Sequence, residues 1–154
     1  MRLRAGDSRA LATYATFGRI QPGTFDEHLD TIAHEWQKSH IAGETLSITS
    51  TRNEHVTAIN RHLQHARLAI GDLDPATATP IADGVALVGD VVATRQNDRR
   101  LRTTTGDSVR NRHRWIVTNT ANDGLSVSRL GGHGTITLPV DYARRHVELA
   151  YATT

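Results

Sequence analysis

Hydrophobic residues recur at helical spacing through the first half of the chain. One helix is predicted over residues 8–17, and a second starts at Thr24, where the run to Glu27 has the form of a capping box. Gly43 ends the second helix, and a third is predicted over residues 53–69. The apolar stripes of the last two helices consist of Leu29, Ile32, Ala33 and Trp36, and of Val56, Ile59, Leu63 and Ala66.

Short runs of alternating, β-branched residues predict strands. A single strand at 45–50 lies between two predicted helices, an order that is typical of one piece of an α/β layer. Five more strands are predicted in the second half, at 84–88, 90–96, 114–120, 125–130 and 135–138. The Asn-Asp-Gly run at 122–124 predicts a tight hairpin between two of them. The five short strands favour a small barrel of SH3 or OB type.

The end of the chain predicts a return to the first sheet. Pro139 ends the barrel region, a helical turn is predicted at 141–146, and a final strand is predicted at 147–152. That strand has no obvious place in the barrel, so the simplest arrangement pairs it with the strand at 45–50. The barrel is then an insertion in an α/β domain.

Composition excludes several classes of protein. The 154-residue chain has no cysteine, which excludes disulfides, thiolate chemistry and cysteine-rich metal sites. It has no run of about 18 apolar residues, and its N-terminus lacks the apolar stretch of a signal peptide, so neither a membrane span nor export is predicted. The expected location is the cytoplasm.

Basic residues are concentrated in one stretch. The formal net charge is only +2, but residues 95–114 hold seven arginines against Asp98 and Asp107, a local net of +5. Arginine presents a planar fork that suits phosphate oxygens and stacks on bases, so this stretch is a candidate surface for nucleic acid. The predicted nucleic-acid contacts are Arg95, Asn97, Arg99, Arg100, Arg102, Arg110, Asn111, Arg112 and Arg114.

Two alternatives apply to the arginine stretch. The arginines also fit a solvated hairpin with local pairs to Asp98 and Asp107, in a chain whose arginine content reflects a GC-rich genome. Trp115 fits either a stacking platform for bases or the core of the barrel, and its neighbours Ile116 and Val117 favour the core.

The end of the strand at 45–50 carries a second group of polar residues. Helix N-termini bind anions, and ligands favour the carboxyl ends of strands in an α/β sheet, so the loop before the helix at 53–69 is a candidate for contact with nucleotide or DNA. The candidate residues are Thr49, Thr51, Arg52 and Asn53, with Ser50 among them. The alternative is that Asn53 or Thr51 only caps the helix.

The remaining chemistry-bearing residues predict neither a metal site nor a catalytic one. The nine histidines include no H-E-x-x-H motif, and those on the predicted helices fit the polar faces. The sequence has no G-x-S-x-G elbow, and its acidic residues at 26–30 complement a helix dipole. No cofactor is therefore predicted for this chain.

Several segments, taken in order, resemble a known family. They are residues 3–20, the Trp36-containing helix, 43–60, 88–103, 109–117 and 138–154. Together they resemble the C-terminal helicase region of actinobacterial conjugative relaxases of the TraA/TrwC/TraI type, which is a RecD-like superfamily 1 helicase. The resemblance covers nearly the whole chain and depends on the order of the segments rather than on one motif.

The resemblance implies a fold class and a division into domains. The fold class is an α/β fragment, a partial RecA-like motor domain, with an inserted small SH3-like β-barrel. The implied domains are the end of a first motor domain at 1–20, the start of a second RecA-like motor domain at 21–83, the SH3-like insertion at 84–140, and the return strand of the second motor domain at 141–154.

The resemblance also shows which motor parts the sequence lacks. A motor of this kind needs a phosphate-cradling G-x-x-x-x-G-K-[ST] loop, but the only lysine, Lys38, follows no glycines and lies inside a predicted helix. The paired acidic motif for Mg²⁺ and the relaxase nucleophile with its metal triad have no counterpart. The intact family uses ATP and Mg²⁺, whereas this chain is expected to be a truncated part that is not an enzyme on its own.

The expected partner is single-stranded DNA, bound weakly and without sequence preference. Other expected contacts are the rest of the helicase, or a second copy of the chain, through exposed motor-domain surfaces, and no membrane partner is expected. The alternative hypothesis is an SH3-like protein-interaction module that does not bind nucleic acid.

Overall fold

The computed structural model describes residues 24–154. The helix predicted over residues 8–17, and with it the implied end of a first motor domain at 1–20, lies outside the described residues. The helices of the described range are α1 (Phe25–Ile41), α2 (Asn53–Ala69) and α3 (Val140–His146), with a 3₁₀ turn at Pro75–Thr77. None of these helices combines the length and the apolar character that crossing a membrane requires.

Short strands make up most of the remaining described chain. They are β1 (Ile48–Thr49), β2 (Thr79–Ile81), β3 (Gly84–Ala86), β4 (Val91–Thr94), β5 (Asp98–Arg102), β6 (Ser108–Val109), β7 (Arg114–Ala121), β8 (Gly124–Arg129), β9 (Thr135–Pro139), β10 (Val147–Leu149) and β11 (Ala152–Thr153). The five strands predicted in the second half are confirmed as β3, β4, β7, β8 and β9. The chain is thus a mixed α/β protein.

The described chain divides into two compact units, and the division differs from the implied domains. The first unit includes the residues up to Ala66 and resumes at Tyr151–Thr154, and the second unit is Arg67–Ala150. The implied boundaries were 83/84 and 140/141. The second unit begins earlier and ends later because β2 pairs with β3, and because β10 pairs with β4 after helix α3.

The first unit is built from α1, β1, most of α2 and β11. The Thr24 hydroxyl accepts a hydrogen bond from the Glu27 backbone N–H at 3.2 Å, which confirms the predicted start of α1. Trp36 is buried and meets the ring of Tyr151 edge-on, with the ring centroids 5.1 Å apart. This aromatic pair anchors the end of the chain in the first unit.

Strand β11 pairs in parallel with β1, with Ile48 opposite Ala152. The buried Asn60 side chain strengthens this pairing, because its Oδ1 accepts from the Ala152 N–H at 2.7 Å and its Nδ2 donates to the Ala152 carbonyl at 3.2 Å. The predicted pairing of the final strand with the strand at 45–50 is therefore confirmed for residues 152–153. Residues 147–149 instead form β10, which joins the second unit.

The second unit contains a five-stranded sheet with the strand order β10-β4-β7-β8-β9, in which every neighbouring pair is antiparallel. Two short two-stranded ladders, β2-β3 and β5-β6, accompany it. In the described residues the edge strands β10 and β9 do not pair with each other, so the strands do not close into the predicted barrel. Helix α3 follows β9 directly and leads the chain to the opposite edge, where β10 pairs with β4.

Most of the core of the second unit lies on one face of the five-stranded sheet, although strand β4 is buried on both faces. Fully buried side chains alternate with exposed ones along β7, where Trp115 and Val117 point inward and Ile116 and Thr118 are exposed. Other fully buried side chains are Val92, Leu125, Val127, Leu138 and Val147. The alternation explains why the sequence pattern predicted β7 correctly.

The predicted hairpin at 122–124 is confirmed. Ala121 pairs with Gly124, so Asn122 and Asp123 form a two-residue turn. Gly124 has a φ of +152°, and a Cβ atom there would lie 2.0 Å from the backbone oxygen of Leu138 on β9. Glycine is required at this position because the backbone of the neighbouring strand takes the space of a side chain.

Candidate nucleic-acid interface

The basic stretch includes a tight turn at residues 110–113, which we call the arginine turn, between β6 and β7. Thr94, at the end of β4, is fully buried and uses its hydroxyl, carbonyl and N–H groups to hold this turn. Its Oγ1 donates to the Arg110 carbonyl at 2.7 Å and accepts from Trp115 Nε1 at 3.2 Å. Its carbonyl accepts from the Arg112 N–H at 2.7 Å, and its N–H donates to the His113 carbonyl at 3.0 Å. A buried threonine therefore fixes the backbone of exposed arginines.

The two predicted asparagines meet at the same turn. Asn97 Oδ1 accepts a hydrogen bond from the Asn111 backbone N–H at 2.8 Å. Arg112, the next residue, has a φ of +71°, a left-handed conformation that few residues other than glycine and asparagine adopt. The structure thus brings Asn97 and Asn111 together, with the Asn97 side chain acting as a brace for the turn.

The second part of the basic stretch is the β5–β6 hairpin, residues 98–109. The Asp98 carboxylate accepts from the Arg100 backbone N–H at 2.9 Å and from its Nη2 at 3.3 Å, and these hydrogen bonds hold the pKa of Asp98 below its usual value. Arg102 Nη1 donates to the Gly106 carbonyl at 2.9 Å. The alternative of a solvated hairpin with local ion pairs is therefore confirmed for Arg100, which pairs with Asp98. Asp107 instead accepts a hydrogen bond from the Thr105 hydroxyl at 3.1 Å.

Two of the predicted contacts are held by the fold. Arg114 is half-buried and donates to the Ala150 carbonyl from Nε at 3.1 Å and from Nη2 at 2.7 Å, and burial lowers the pKa of its guanidinium. Arg95 lies 3.7 Å from the Glu148 carboxylate. Both side chains tie β4 and β7 to the segment around β10, so they contribute more to the sheet than to a binding surface.

Three arginines of the basic stretch are exposed and unengaged, and we call them the arginine surface. Within residues 24–154, the guanidinium groups of Arg99, Arg110 and Arg112 make no hydrogen bond or ion pair. Arg99 projects from the β5–β6 hairpin, and the other two project from the arginine turn. These are the groups that an anionic ligand reaches without displacing an existing partner.

Sequence reasoning missed the contacts of Arg129 with His113 and Trp115. Arg129 Nη1 donates to His113 Nδ1 at 2.9 Å, and the guanidinium carbon lies 5.3 Å from the centre of the Trp115 ring. Burial, with the charges of Arg129 and Arg110, lowers the pKa of His113, and Asp107 opposes the shift. His113 is therefore held in the neutral form, in which Nδ1 accepts.

The structure decides between the two interpretations of Trp115. Its side chain is 0% exposed and its indole N–H is donated to Thr94, so it belongs to the core and offers no face for base stacking. The arginine surface thus has phosphate-binding groups without an aromatic platform at this position.

The loop before α2 lies in the first unit, and its hydrogen bonds explain its shape. Ser50 Oγ accepts from the Arg52 N–H at 3.3 Å, and the Arg52 carbonyl accepts from the N–H groups of His55 and Val56, each at 3.1 Å. Arg52 also forms an ion pair with Glu54. The Arg52 carbonyl therefore accepts the first hydrogen bonds of α2, and within residues 24–154 no side-chain hydrogen bond of Asn53 or Thr51 caps the helix.

The other candidates of this loop, Thr49, Thr51 and Asn53, are exposed. The structure places them around the start of α2, with Thr49 in β1 opposite Thr153. These residues belong to the first unit, whereas the arginine turn belongs to the second.

The helical histidines have individual partners. His62 Nε2 lies 2.9 Å from the Asp30 carboxylate, and the His55 ring stacks on Phe25 with a centroid distance of 4.5 Å. Burial and the charge of Arg52 lower the pKa of His55. Over residues 24–154 no three histidine or acidic side chains are grouped in a way that would hold a metal ion.

A comparison of the sequence with protein-family models and with curated proteins finds no match. The function is therefore argued from the mixed α/β fold and from the chemistry of its arginine surface. Two of its three guanidinium groups project from the arginine turn, whose backbone is held by hydrogen bonds to Thr94 and Asn97.

Proposed function

We propose that this chain binds single-stranded DNA weakly and without sequence preference, through the exposed arginines of the β5–β6 hairpin and the arginine turn. The observation that carries the proposal is that Arg99, Arg110 and Arg112 are exposed and unengaged, the last two on a braced turn. A fixed turn loses little conformational freedom on binding, so more of the phosphate attraction contributes to affinity.

The proposal also places the chain in a protein class. The order of the segments that resemble a RecD-like, relaxase-type helicase supports a non-catalytic fragment that contains part of a RecA-like motor domain and an SH3-like insertion. The parallel pairing of β1 with β11 and the antiparallel sheet of the second unit are compatible with that arrangement. ATP turnover, measured with and without single-stranded DNA, should stay at the background rate, and turnover stimulated by DNA would contradict the non-catalytic assignment.

The binding hypothesis predicts how steeply the affinity for single-stranded DNA falls with salt. Each phosphate neutralised on a single strand contributes about −0.7 to the slope of log affinity against log salt, so three arginines give a slope of about −2. Affinity should then fall about 20-fold between 50 and 200 mM salt. Fluorescence anisotropy of a labelled oligonucleotide measures this directly, and oligonucleotides of different sequence should give similar curves.

A pair of charge-matched variants locates the surface. Replacing Arg110 and Arg112 with Ala removes two of the three proposed contacts, so the salt slope should fall to about −0.7 and the affinity at low salt should drop about tenfold. The control replaces Arg61 and Arg144, which are also exposed, and should change affinity less than about twofold. An equal loss in both double variants would show that only net charge matters and would refute the assigned surface.

Protein interaction is the second candidate function. Ile116 lies on the outer face of β7 and is 37% exposed, and Val85 on β3 is 40% exposed. Exposed apolar side chains of this kind suit a module that packs against protein. Static light scattering over a range of concentrations tests self-association, and an Ile116→Ser variant should reduce any association that is found.

A further inference from the structure

A groove of about 500 Å³ lies in the second unit, beside the β5–β6 hairpin, and the function proposed above does not use it. Its walls come from strand β5, from the end of β9 and from helix α3. The volume is within the range of about 300–1,000 Å³ that is typical of small-molecule sites. The residues that matter for its chemistry are Arg100, Leu101, Pro139, Asp141, Tyr142 and Arg145.

The apolar part of the groove is rigid. Tyr142 is largely buried, and its hydroxyl donates to the Gln96 carbonyl at 2.5 Å. Burial raises the pKa of Tyr142, so the hydroxyl stays protonated and keeps this hydrogen bond. The tyrosine ring therefore has a fixed place in the wall, next to the apolar side chains of Leu101 and Pro139.

The polar part of the groove has one charge pair that is satisfied and two groups that are not. Arg100 is paired with Asp98. Arg145 and Asp141, one helical turn apart on α3, are exposed and make no hydrogen bond or ion pair within residues 24–154. An apolar wall flanked by an unengaged guanidinium and an unengaged carboxylate suits a ligand with an anionic group, a flat apolar body and hydrogen-bond donors at its edge. A nucleotide has these three features.

The position of the groove favours a nucleotide that is part of a bound DNA strand over a free nucleotide. Arg100 and Leu101 belong to the same strand, β5, that carries Arg99, so a nucleic acid on the arginine surface passes the mouth of the groove. We propose that the groove takes one nucleotide of the bound single strand, with its base against Leu101, Pro139 and Tyr142 and its phosphate on Arg145. This inference rests on the proposed DNA binding.

Asp141 sets the orientation of that nucleotide. A carboxylate only accepts hydrogen bonds, so it repels phosphate and accepts from an amino group on the edge of a base. Arg145 attracts the phosphate to the other side. The base thus enters with its edge towards Asp141 and the phosphate towards Arg145.

The first test uses a matched pair of neighbouring arginines. Arg145 lines the groove, whereas Arg144, the preceding exposed residue on the same helix, does not. Arg145→Ala should weaken binding of a labelled single strand about 5- to 10-fold in fluorescence anisotropy, and Arg144→Ala less than about twofold. Equal effects of the two variants would overturn the groove assignment and would leave the arginine turn untouched.

The second test asks whether the groove holds a base. Leu101→Ala should weaken binding of an ordinary strand about threefold, but it should not weaken binding of an abasic strand of the same length, which has phosphates and no bases. In a Trp36→Phe background, the emission of Trp115 checks that the variant keeps the fold of the second unit. An equal loss on both strands would overturn the placement of the base.

The outcomes separate this inference from the function on which it rests. If the wild-type chain does not bind a single strand at low salt, both proposals fail. If Arg110 and Arg112 matter but Arg145 behaves like Arg144, the arginine surface stands and the groove does not. If Arg145 and Leu101 behave as expected, the groove is a nucleotide subsite.

Discussion

Replacing Thr94 with Val tests whether a buried hydroxyl holds the arginine turn. Valine has nearly the same shape, so the change removes hydrogen bonds without opening a large cavity. The variant loses the hydrogen bond donated to the Arg110 carbonyl at 2.7 Å and the one accepted from Trp115 Nε1 at 3.2 Å. Backbone hydrogen bonds of residue 94 remain, so the turn should loosen without unfolding.

The expected cost follows from which groups lose a partner. Trp115 is fully buried, so its indole N–H cannot turn to water, and an unsatisfied buried donor costs about 1–3 kcal/mol. Arg110 is exposed, so water replaces the lost partner of its carbonyl, and losing this hydrogen bond adds little to the destabilisation. We expect the free energy of unfolding of the second unit to fall by about 1.5–3 kcal/mol. Affinity for single-stranded DNA should also fall, although no charge is removed.

The assay is urea unfolding followed by tryptophan fluorescence. The chain has two tryptophans, one in each unit, so a Trp36→Phe background leaves Trp115 as the reporter of the second unit. The matched control is Thr118→Val, because the exposed Thr118 hydroxyl donates to the Ser126 carbonyl at 3.2 Å and should cost under about 0.5 kcal/mol. If Thr94→Val costs no more than the control, the hydroxyl does not hold the turn and the reasoning is wrong.

Two further predictions concern the second unit. Gly124→Ala would place a Cβ atom 2.0 Å from the Leu138 carbonyl oxygen and should destabilise by at least about 2–3 kcal/mol in urea unfolding, whereas Gly132→Ala, where no atom lies closer than 3.7 Å, should be near neutral. The pKa of His113 is lowered in the folded state, so its contribution to stability is complete above pH of about 6.5 and is lost as the pH falls from there towards the folded pKa. His113→Asn offers Arg129 an acceptor that does not titrate and should flatten this part of the stability profile, and superimposable profiles would contradict the role given to His113.

Local signals in the sequence predicted much of the fold. The N-cap at Thr24, the glycine at Gly43 and the Asn-Asp-Gly turn each act within a few residues, and the structure confirms all three. Strand β5 was missed because its sequence, Asp-Arg-Arg-Leu-Arg, is mostly charged and lacks the alternation of a half-buried strand. It forms a strand because it pairs with β6 in a short, exposed ladder.

The contact between Arg129 and Trp115 could not be predicted because it depends on a shift in register. A two-residue turn after Ala121 would pair Trp115 with Leu130 if the β7-β8 ladder were regular. An irregularity between Val117 and Asn119 moves the pairing by one residue and sets Arg129 opposite Trp115. A pattern of residue types does not reveal where such a bulge falls.

The sequence by itself determined the helices, most strands, the hairpin turn and the place of the basic stretch, because each depends on neighbours along the chain. Only the tertiary structure decided which arginines have a hydrogen-bond partner and which stay exposed. Arg114 is held by the Ala150 carbonyl and Arg100 by Asp98, while Arg110 and Arg112 stay exposed on a turn fixed by Thr94. The physical reason is that a guanidinium group looks the same in the sequence whether its hydrogen-bond partner is a distant carbonyl, a neighbouring carboxylate or water.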